Sequence, residues 1–376
     1  MKFALILLIS FLPLFASNLE KGVEAYKRGD FKSAALYYKR AAKEGNPRAM
    51  VNLGLMYKFN IGLEKDLKKA FELFRRAAEY GYPRGIDELG AMYENGLGTN
   101  RDPRTAFSLY KKAARKGYVN AMVHLAQLYE TGRGTKRDLR EAFAWYKKAA
   151  VKGNVEAQAL LGAMYDRGIG VKESPQKALF WLKKGAAKGS ADAQNALGFL
   201  YLKGRGVNKD EKKAFEWFLK AARKGLARAR HNTAFMYEEG IGVEKSCKDA
   251  IYWYKKASEQ DYTPSLVSLS MLYTEGKCGS KKTKEAVKLL KRAAKLGDPA
   301  APFALGRLYE EGRGVKQDFK EAAFWYQRGA DIGDPQAQYN LGLLYYNGLG
   351  VQKDPIRARY WMDKAKSNGL KIPGSL

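Results

Sequence analysis

An all-α solenoid of stacked antiparallel helix pairs is the fold this sequence predicts. A 36-residue unit recurs nine times from Asn46 to Gly369 without an insertion or deletion. Tyrosine and alanine return at fixed phases of that unit, and helix-capping residues stand where each helix should begin. Self-similarity of this length and strictness is the signature of a repeat array.

The chain opens on a segment unlike the rest. Met1-Lys2 is followed by Phe3 to Phe15, apolar except for Ser10 and Pro13, and Leu14-Phe15-Ala16 offers a cleavage site after Ala16, with Ser17 as second choice. Residues 1–17 therefore read as a secretory signal peptide, which places the protein in the periplasm or outside the cell. The run is short for a membrane span, and no cysteine follows it as a lipid anchor would require. No later segment is apolar enough to be transmembrane. Residues 18–45 read as a capping helix pair, with a tight turn at Tyr26-Lys27-Arg28-Gly29-Asp30-Phe31 and Ala34, Ala41 and Ala42 in the phase of the later copies.

The nine copies span 46–81, 82–117, 118–153, 154–189, 190–225, 226–261, 262–297, 298–333 and 334–369, and positions within a copy are counted here from 1 to 36. Position 12 is tyrosine in every copy, from Tyr57 to Tyr345, and position 25 is alanine in every copy, from Ala70 to Ala358. Every tryptophan (Trp145, Trp181, Trp217, Trp253, Trp325, Trp361) lies at position 28, where Leu73, Leu109 and Leu289 complete the set. Positions 4, 8 and 12 form one apolar stripe of a first helix, with a small residue at position 9 that lets a neighbouring backbone approach; positions 25, 28, 29, 32 and 33 form the stripe of a second.

The punctuation agrees. Asn46-Pro47, Asp298-Pro299 and Asp334-Pro335 set a capping side chain before a proline suited to the first helical turn, and Asp102-Pro103, Ser174-Pro175 and Asp354-Pro355 do the same for second helices. Position 36 is glycine in eight copies and Asp261 in one, where a left-handed residue closes the helix. A Gly-x-Gly loop joins the two helices. Because it recurs at one phase, it reads as turn chemistry and not as a phosphate cradle. One pair cannot bury its apolar faces alone, so stacking must supply the core. The tail, 370–376, carries no further repeat.

The pattern Ala-x₃-Leu-Gly-x₂-Tyr-x₂-Gly-x-Gly-Val-x₂-Asp-x₃-Ala-x₂-Trp-Tyr-x-Lys-Ala-Ala-x₂-Gly, clearest in the copies beginning at Tyr118 and Asp298, resembles the Sel1-like repeat family. The resemblance covers 46–369, and 18–45 resembles a tetratricopeptide-type cap. It implies a right-handed superhelix whose groove is lined by first helices, and secreted bacterial members imply an adaptor of the cell envelope. Cysteine-rich relatives described as penicillin-binding or β-lactamase proteins imply a further alternative. This chain departs from that branch, since Ala150 and Ala157 stand at inter-repeat positions where those relatives carry cysteine.

Catalytic machinery is not evident. The two histidines, His124 and His231, are three copies apart and read as surface or groove residues. No Ser-x-x-Lys set accompanies the other marks of a serine β-lactamase, and neither a metal site nor a cofactor motif is legible. The two cysteines, Cys247 and Cys278, fall on adjacent copies near one edge; in an oxidising compartment they suit a single inter-repeat disulfide, with two unlinked thiols as the other arrangement.

Charge points to partners. The formal net charge is +29 over 376 residues, and positions 30–31 carry paired cations, as in Arg75-Arg76, Lys111-Lys112, Lys147-Lys148, Lys183-Lys184, Lys255-Lys256 and Lys291-Arg292. These suit a helix C-terminus and should form a solvated outer ridge, or one that adheres to an anionic cell-envelope polymer such as peptidoglycan. Export argues against nucleic acid. Positions 6, 10 and 13 should share the groove face of the first helix. Early copies place Asp87, Glu94, Gln127, Glu130 and Asp166 there; later ones place Phe199, Leu202, Phe235, Met271, Phe303, Arg307, Tyr339 and Tyr346. Exposed aromatics with methionine and arginine suit capture of a protein or peptide partner, while packing between neighbouring helices is the competing role.

Overall fold

The computed structural model describes residues 17–277, 279 and 281–371. Among them are twenty helices and no strand. The first ten are α1 (Asn18–Lys27), α2 (Phe31–Lys43), α3 (Pro47–Phe59), α4 (Leu67–Glu79), α5 (Pro83–Asn95), α6 (Pro103–Arg115), α7 (Val119–Thr131), α8 (Leu139–Val151), α9 (Val155–Arg167) and α10 (Pro175–Ala187). The rest are α11 (Ala191–Lys203), α12 (Glu211–Arg223), α13 (Ala227–Glu239), α14 (Cys247–Ser258), α15 (Thr263–Glu275), α16 (Thr283–Lys295), α17 (Ala301–Glu311), α18 (Phe319–Asp331), α19 (Pro335–Asn347) and α20 (Pro355–Ser367). The described residues fall into two compact units, divided between Lys184 and Gly185 within α10. From α1 to α9, and again from α11 to α20, each helix packs chiefly on the next, as an α-solenoid requires.

The expected caps are in place. Asn46 accepts from the amides of Arg48 and Ala49 at 3.0 and 3.1 Å, and Asp102, Asp334 and Asp354 act alike. Asp298 departs in part. It accepts from Ala300 and Ala301, yet α17 starts only at Ala301. Pro302 lacks the amide that would close the first turn onto Asp298, so the regular ladder begins late. Asp261, the one non-glycine at position 36, adopts the left-handed conformation with φ 58°. Ser17 caps α1 reciprocally: its Oγ accepts from the Glu20 amide, and its own amide donates to Glu20 Oε2 at 2.8 Å. Residues 1–16 of the expected signal peptide lie outside the described residues.

The small residue at position 9 chiefly admits a side chain of its own copy. The expected approach of a backbone is seen at Gly162 and Gly342, where a Cβ would also stand 3.3 or 3.0 Å from the carbonyl oxygen of Ala178 or Ala358. A Cβ on Gly54, Gly198 or Gly306 would stand 2.4–2.6 Å from the ring at position 29: Phe74, Phe218 or Tyr326. These rings are fully buried and form the centre of each pair. Loss of one should cost about 3–5 kcal/mol.

One contact joins the two helices within a copy, and a second sets the copy against the one before it. The carbonyl of each position-12 tyrosine accepts from the amide at position 21, in all nine copies, at 2.8–3.1 Å. The position-17 glycine meets the start of the preceding second helix; a Cβ on Gly134, Gly170 or Gly350 would fall about 2 Å from the carbonyl oxygen of Pro103, Leu139 or Phe319. Rings add to the seam. Phe71, Phe107, Phe143 and Phe215, at position 26, each meet the next copy's Tyr93, Tyr129, Tyr165 or Tyr237 edge-on at 5.0–5.4 Å.

Candidate functional site

The expectation that positions 6, 10 and 13 share one exposed face needs correction at position 6. Asp87 is only 4 % exposed, and Val51, Val123 and Val267 are also buried. Position 6 packs against the first helix of the following copy: Asp87 meets His124, Asn195 meets Asn232, and His231 meets Ser265.

In the first unit this face is polar and internally satisfied. Asp87 Oδ1 lies 2.8 Å from His124 Nδ1. Lys58 pairs with Glu88 at 3.1 Å, both largely shielded, and Arg133 reaches Glu94 at 3.3 Å. Glu94 and Glu130 each accept a hydrogen bond from the buried tyrosine at position 29 of their own copy, Tyr110 at 3.0 Å and Tyr146 at 2.9 Å. In the second unit Tyr254 and Tyr326 donate to Glu238 and Glu310 in the same way. The rule is strict. In the nine copies, wherever position 29 is tyrosine, position 13 is glutamate; where position 29 is Phe74, Leu182, Phe218, Leu290 or Met362, position 13 is Lys58, Asp166, Leu202, Thr274 or Tyr346. A buried hydroxyl needs an acceptor and an apolar side chain does not. This closing pair was missed in the sequence, although the co-occurrence was there to be read.

The two histidines were expected on the surface or in the groove. Both are half-buried, and their surroundings are opposite. Burial pulls the His124 pKa down, but the hydrogen bond to Asp87 and the charges of Asp87, Glu94 and Glu156 outweigh it and hold the pKa above the ordinary imidazole value. Burial likewise raises the Asp87 carboxyl, which His124 only partly offsets. His231 lies between Tyr254 and Tyr262, with ring centroids at 5.3 and 5.5 Å, and burial pulls its pKa down to about 4.

The second unit presents the apolar candidates. Phe199, Phe235, Met271 and Tyr346 are exposed, as is Arg307. Met271, Phe303 and Arg307 come together at a cleft of about 330 Å³ whose rim carries Glu275, Glu311 and Arg313. A second cleft of about 370 Å³ shares Phe303, Arg307 and Gln336 with it and adds Tyr339. The other candidates stand apart from these clefts. Leu202 turns inward, half-buried against the cluster of Phe215, Phe218 and Met236, and Phe199 rests edge-on against Phe218 at 5.0 Å.

The cations expected on the outer ridge are largely exposed. Many are held by the tryptophan three residues before them: Lys148 lies 3.8 Å from the Trp145 ring centroid, Lys220 4.4 Å from that of Trp217 and Lys364 4.9 Å from that of Trp361. Cys247 opens α14, its Sγ 3.6 Å from the Lys277 carbonyl oxygen. Its expected partner, Cys278, lies outside the described residues. Among the described residues no group of three or more His, Cys, Asp or Glu could hold a metal ion, and no helix is long and apolar enough to cross a membrane.

Helix pairs on a constant 36-residue repeat, each closed internally by a tyrosine carbonyl and keyed to the pair before it by a loop glycine, define an α-solenoid repeat protein. The Sel1 repeat model matches ten segments, residues 16–46, 47–82, 83–118, 119–154, 155–190, 191–226, 227–262, 264–298, 299–334 and 335–370. The chain belongs to the Sel1 repeat family. It is 35% identical to c5321, a protective antigen present in uropathogenic Escherichia coli strains whose crystal structure displays an SLR fold; the match covers 94% of this chain and 77% of that one, with a TM-score of 0.71. A Sel1 repeat protein from Oxalobacter formigenes is 34% identical over 80% of this chain and 87% of its own, with a TM-score of 0.62. No curated protein matches the chain.

Proposed function

We propose that the protein is an exported interaction scaffold of the bacterial cell envelope, and that the first-helix face of its second unit captures a protein partner. Sel1 repeats are commonly protein–protein interaction scaffolds, and the observation that carries the site is the pair of adjoining clefts around Met271, Phe303 and Arg307. Methionine, aromatic and arginine side chains at one concave place are the composition of an interface hot spot. Glu311 on the rim is paired with Arg307 at 3.1 Å and Arg313 at 2.9 Å, and Glu275 with Lys277 at 2.6 Å, so the cleft favours a partner segment with an apolar anchor.

A photo-reactive amino acid in place of Met271 tests the site in the producing cell. It should cross-link a discrete partner, Arg307→Glu should abolish that product, and the same probe in place of Lys295 should give none. Equal cross-linking from both positions would sink the assignment.

Export rests on the apolar stretch from Phe3 to Phe15, and a relative described as a protective antigen is in keeping with it. The protein recovered from the periplasm or the medium should begin at Ser17, which retains the cap on α1, and should carry Cys247 joined to Cys278. Recovery of the intact chain in the cytosol, with both thiols reactive, would refute export.

A further inference from the structure

Position 28 is tryptophan in six copies and leucine in three. At two of the leucines the outer side of the second helix is hollow. In the first copy Leu53, Tyr57, Leu73 and Arg76 line a cleft of about 340 Å³. In the seventh, their equivalents Leu269, Tyr273, Leu289 and Arg292 line one of about 640 Å³. The same four positions (8, 12, 28 and 31) thus form a cleft in both units where the indole is replaced by the smaller isobutyl group. In the six copies with tryptophan at position 28, a cation is commonly stacked on it three residues later; the third leucine is Leu109.

The larger cleft is the one with a distinct chemistry. It lies beside α14 and α16, over an apolar floor of Leu269, Tyr273 and Leu289. Its rim carries four cations, Lys255, Lys282, Lys288 and Arg292, against two carboxylates, Glu259 and Glu285. Lys288 matters most in this comparison, because the smaller cleft has Glu72 at the equivalent position. Arg292 is already held by Asp261 at 2.6 Å, which fixes its guanidinium at the rim.

We infer that this cleft binds an acidic sugar unit of an anionic polysaccharide. The volume falls in the range of small-ligand sites and accommodates one or two sugar rings. The apolar floor receives the non-polar face of a pyranose ring, and the excess of cations receives its carboxylate. Glu259 and Glu285 accept from hydroxyl groups on the same ring. Those two carboxylates disfavour the other anions that a chain of net charge +29 would attract. A run of acidic residues has no hydroxyl donors to offer them and would be repelled, and a flat bilayer surface cannot enter a concave site. The inference is independent of the partner site on α15 and α17, and either can fail without the other.

Calorimetric titration of the full chain with an oligogalacturonate tests it, with a neutral cello-oligosaccharide and poly-glutamate as comparison ligands. The uronate should bind, the neutral sugar should not, and poly-glutamate should bind more weakly. Leu289→Trp is the decisive variant. It leaves net charge unchanged, restores the residue found in six copies, and should keep or raise the melting temperature. It should weaken uronate binding more than about tenfold by filling the cleft. Lys288→Gln should weaken it about two- to fivefold, as expected for one exposed ionic contact. Uronate affinity unchanged by Leu289→Trp would overturn the site. Poly-glutamate binding as tightly as uronate would overturn the sugar, and so would uronate failing to bind at about 1 mM, the limit of a weak specific site.

Discussion

The two units share one framework and differ in what they place on it. Both repeat the buried side chain at position 29, the tyrosine carbonyl at position 12 and the left-handed loop glycines. On the first-helix face the first unit gathers Asp87, Glu88 and Glu94 around Lys58 and His124, whereas the second offers Phe199, Phe235, Met271 and Phe303. Histidine reports the contrast. His124, hydrogen-bonded to a buried carboxylate, is more basic than a free imidazole; His231, between two tyrosines, falls to about 4. A solenoid can therefore vary what it displays on a constant framework, because each copy is held by its neighbours, although position 13 stays tied to the core where position 29 is tyrosine.

The largest expected effect tests whether the framework is shared. Gly170→Ala in the first unit and Gly350→Ala in the second each force a Cβ about 2 Å from a backbone carbonyl at positive φ. Each should lower stability by about 2–4 kcal/mol in urea titrations. A tolerated substitution in one unit alone would break the equivalence. Smaller losses should follow Tyr146→Phe and Tyr254→Phe, which remove the bonds to Glu130 and Glu238. About 1–2 kcal/mol is expected for each, with little further loss when the glutamate is also changed to glutamine.

The smallest effect sharpens the difference. The raised pKa of His124 makes its contribution complete below the free value, near about 6.5, and lost as pH rises through the folded value. The lowered pKa of His231 does the reverse: its contribution is present above about 6.5 and declines as pH falls through about 4. His124→Gln should therefore destabilise more at about pH 5.5 than at about pH 9, and His231→Phe should flatten the acid side of the stability profile. NMR titration of the two imidazole Cε1 protons should place one midpoint above and one well below the ordinary value. Coincident midpoints would contradict the distinction.

Most of the fold was legible because the periodic residues have few alternatives. A tyrosine, an alanine and a glycine at fixed phases already locate the helices, the caps and the loop. The purpose of position 9 was less legible, because a small residue accommodates a ring or a backbone equally well and only the packing distinguishes them. Position 6 illustrates a second limit. Spacing along one helix groups it with 10 and 13, yet whether that side meets solvent depends on how far the next helix leans over it. Asp87 is buried for that reason, though its sequence neighbours look exposed. The site candidates divided in the same way: Met271, Phe303, Arg307 and Tyr339 adjoin, while Leu202 packs inward.

The glycine at position 17, present in eight of the nine copies with Cys278 in the seventh, touches the copy before its own, and this has a consequence for how such a chain can change length. Removing thirty-six residues between equivalent points rejoins a loop to a helix start of the right shape, so nothing new collides. Removing thirty-five or thirty-seven brings a substituted carbon against a carbonyl that leaves it no room. Gene rearrangements that persist should therefore be whole multiples of the unit, and the displayed surface grows or shrinks in steps.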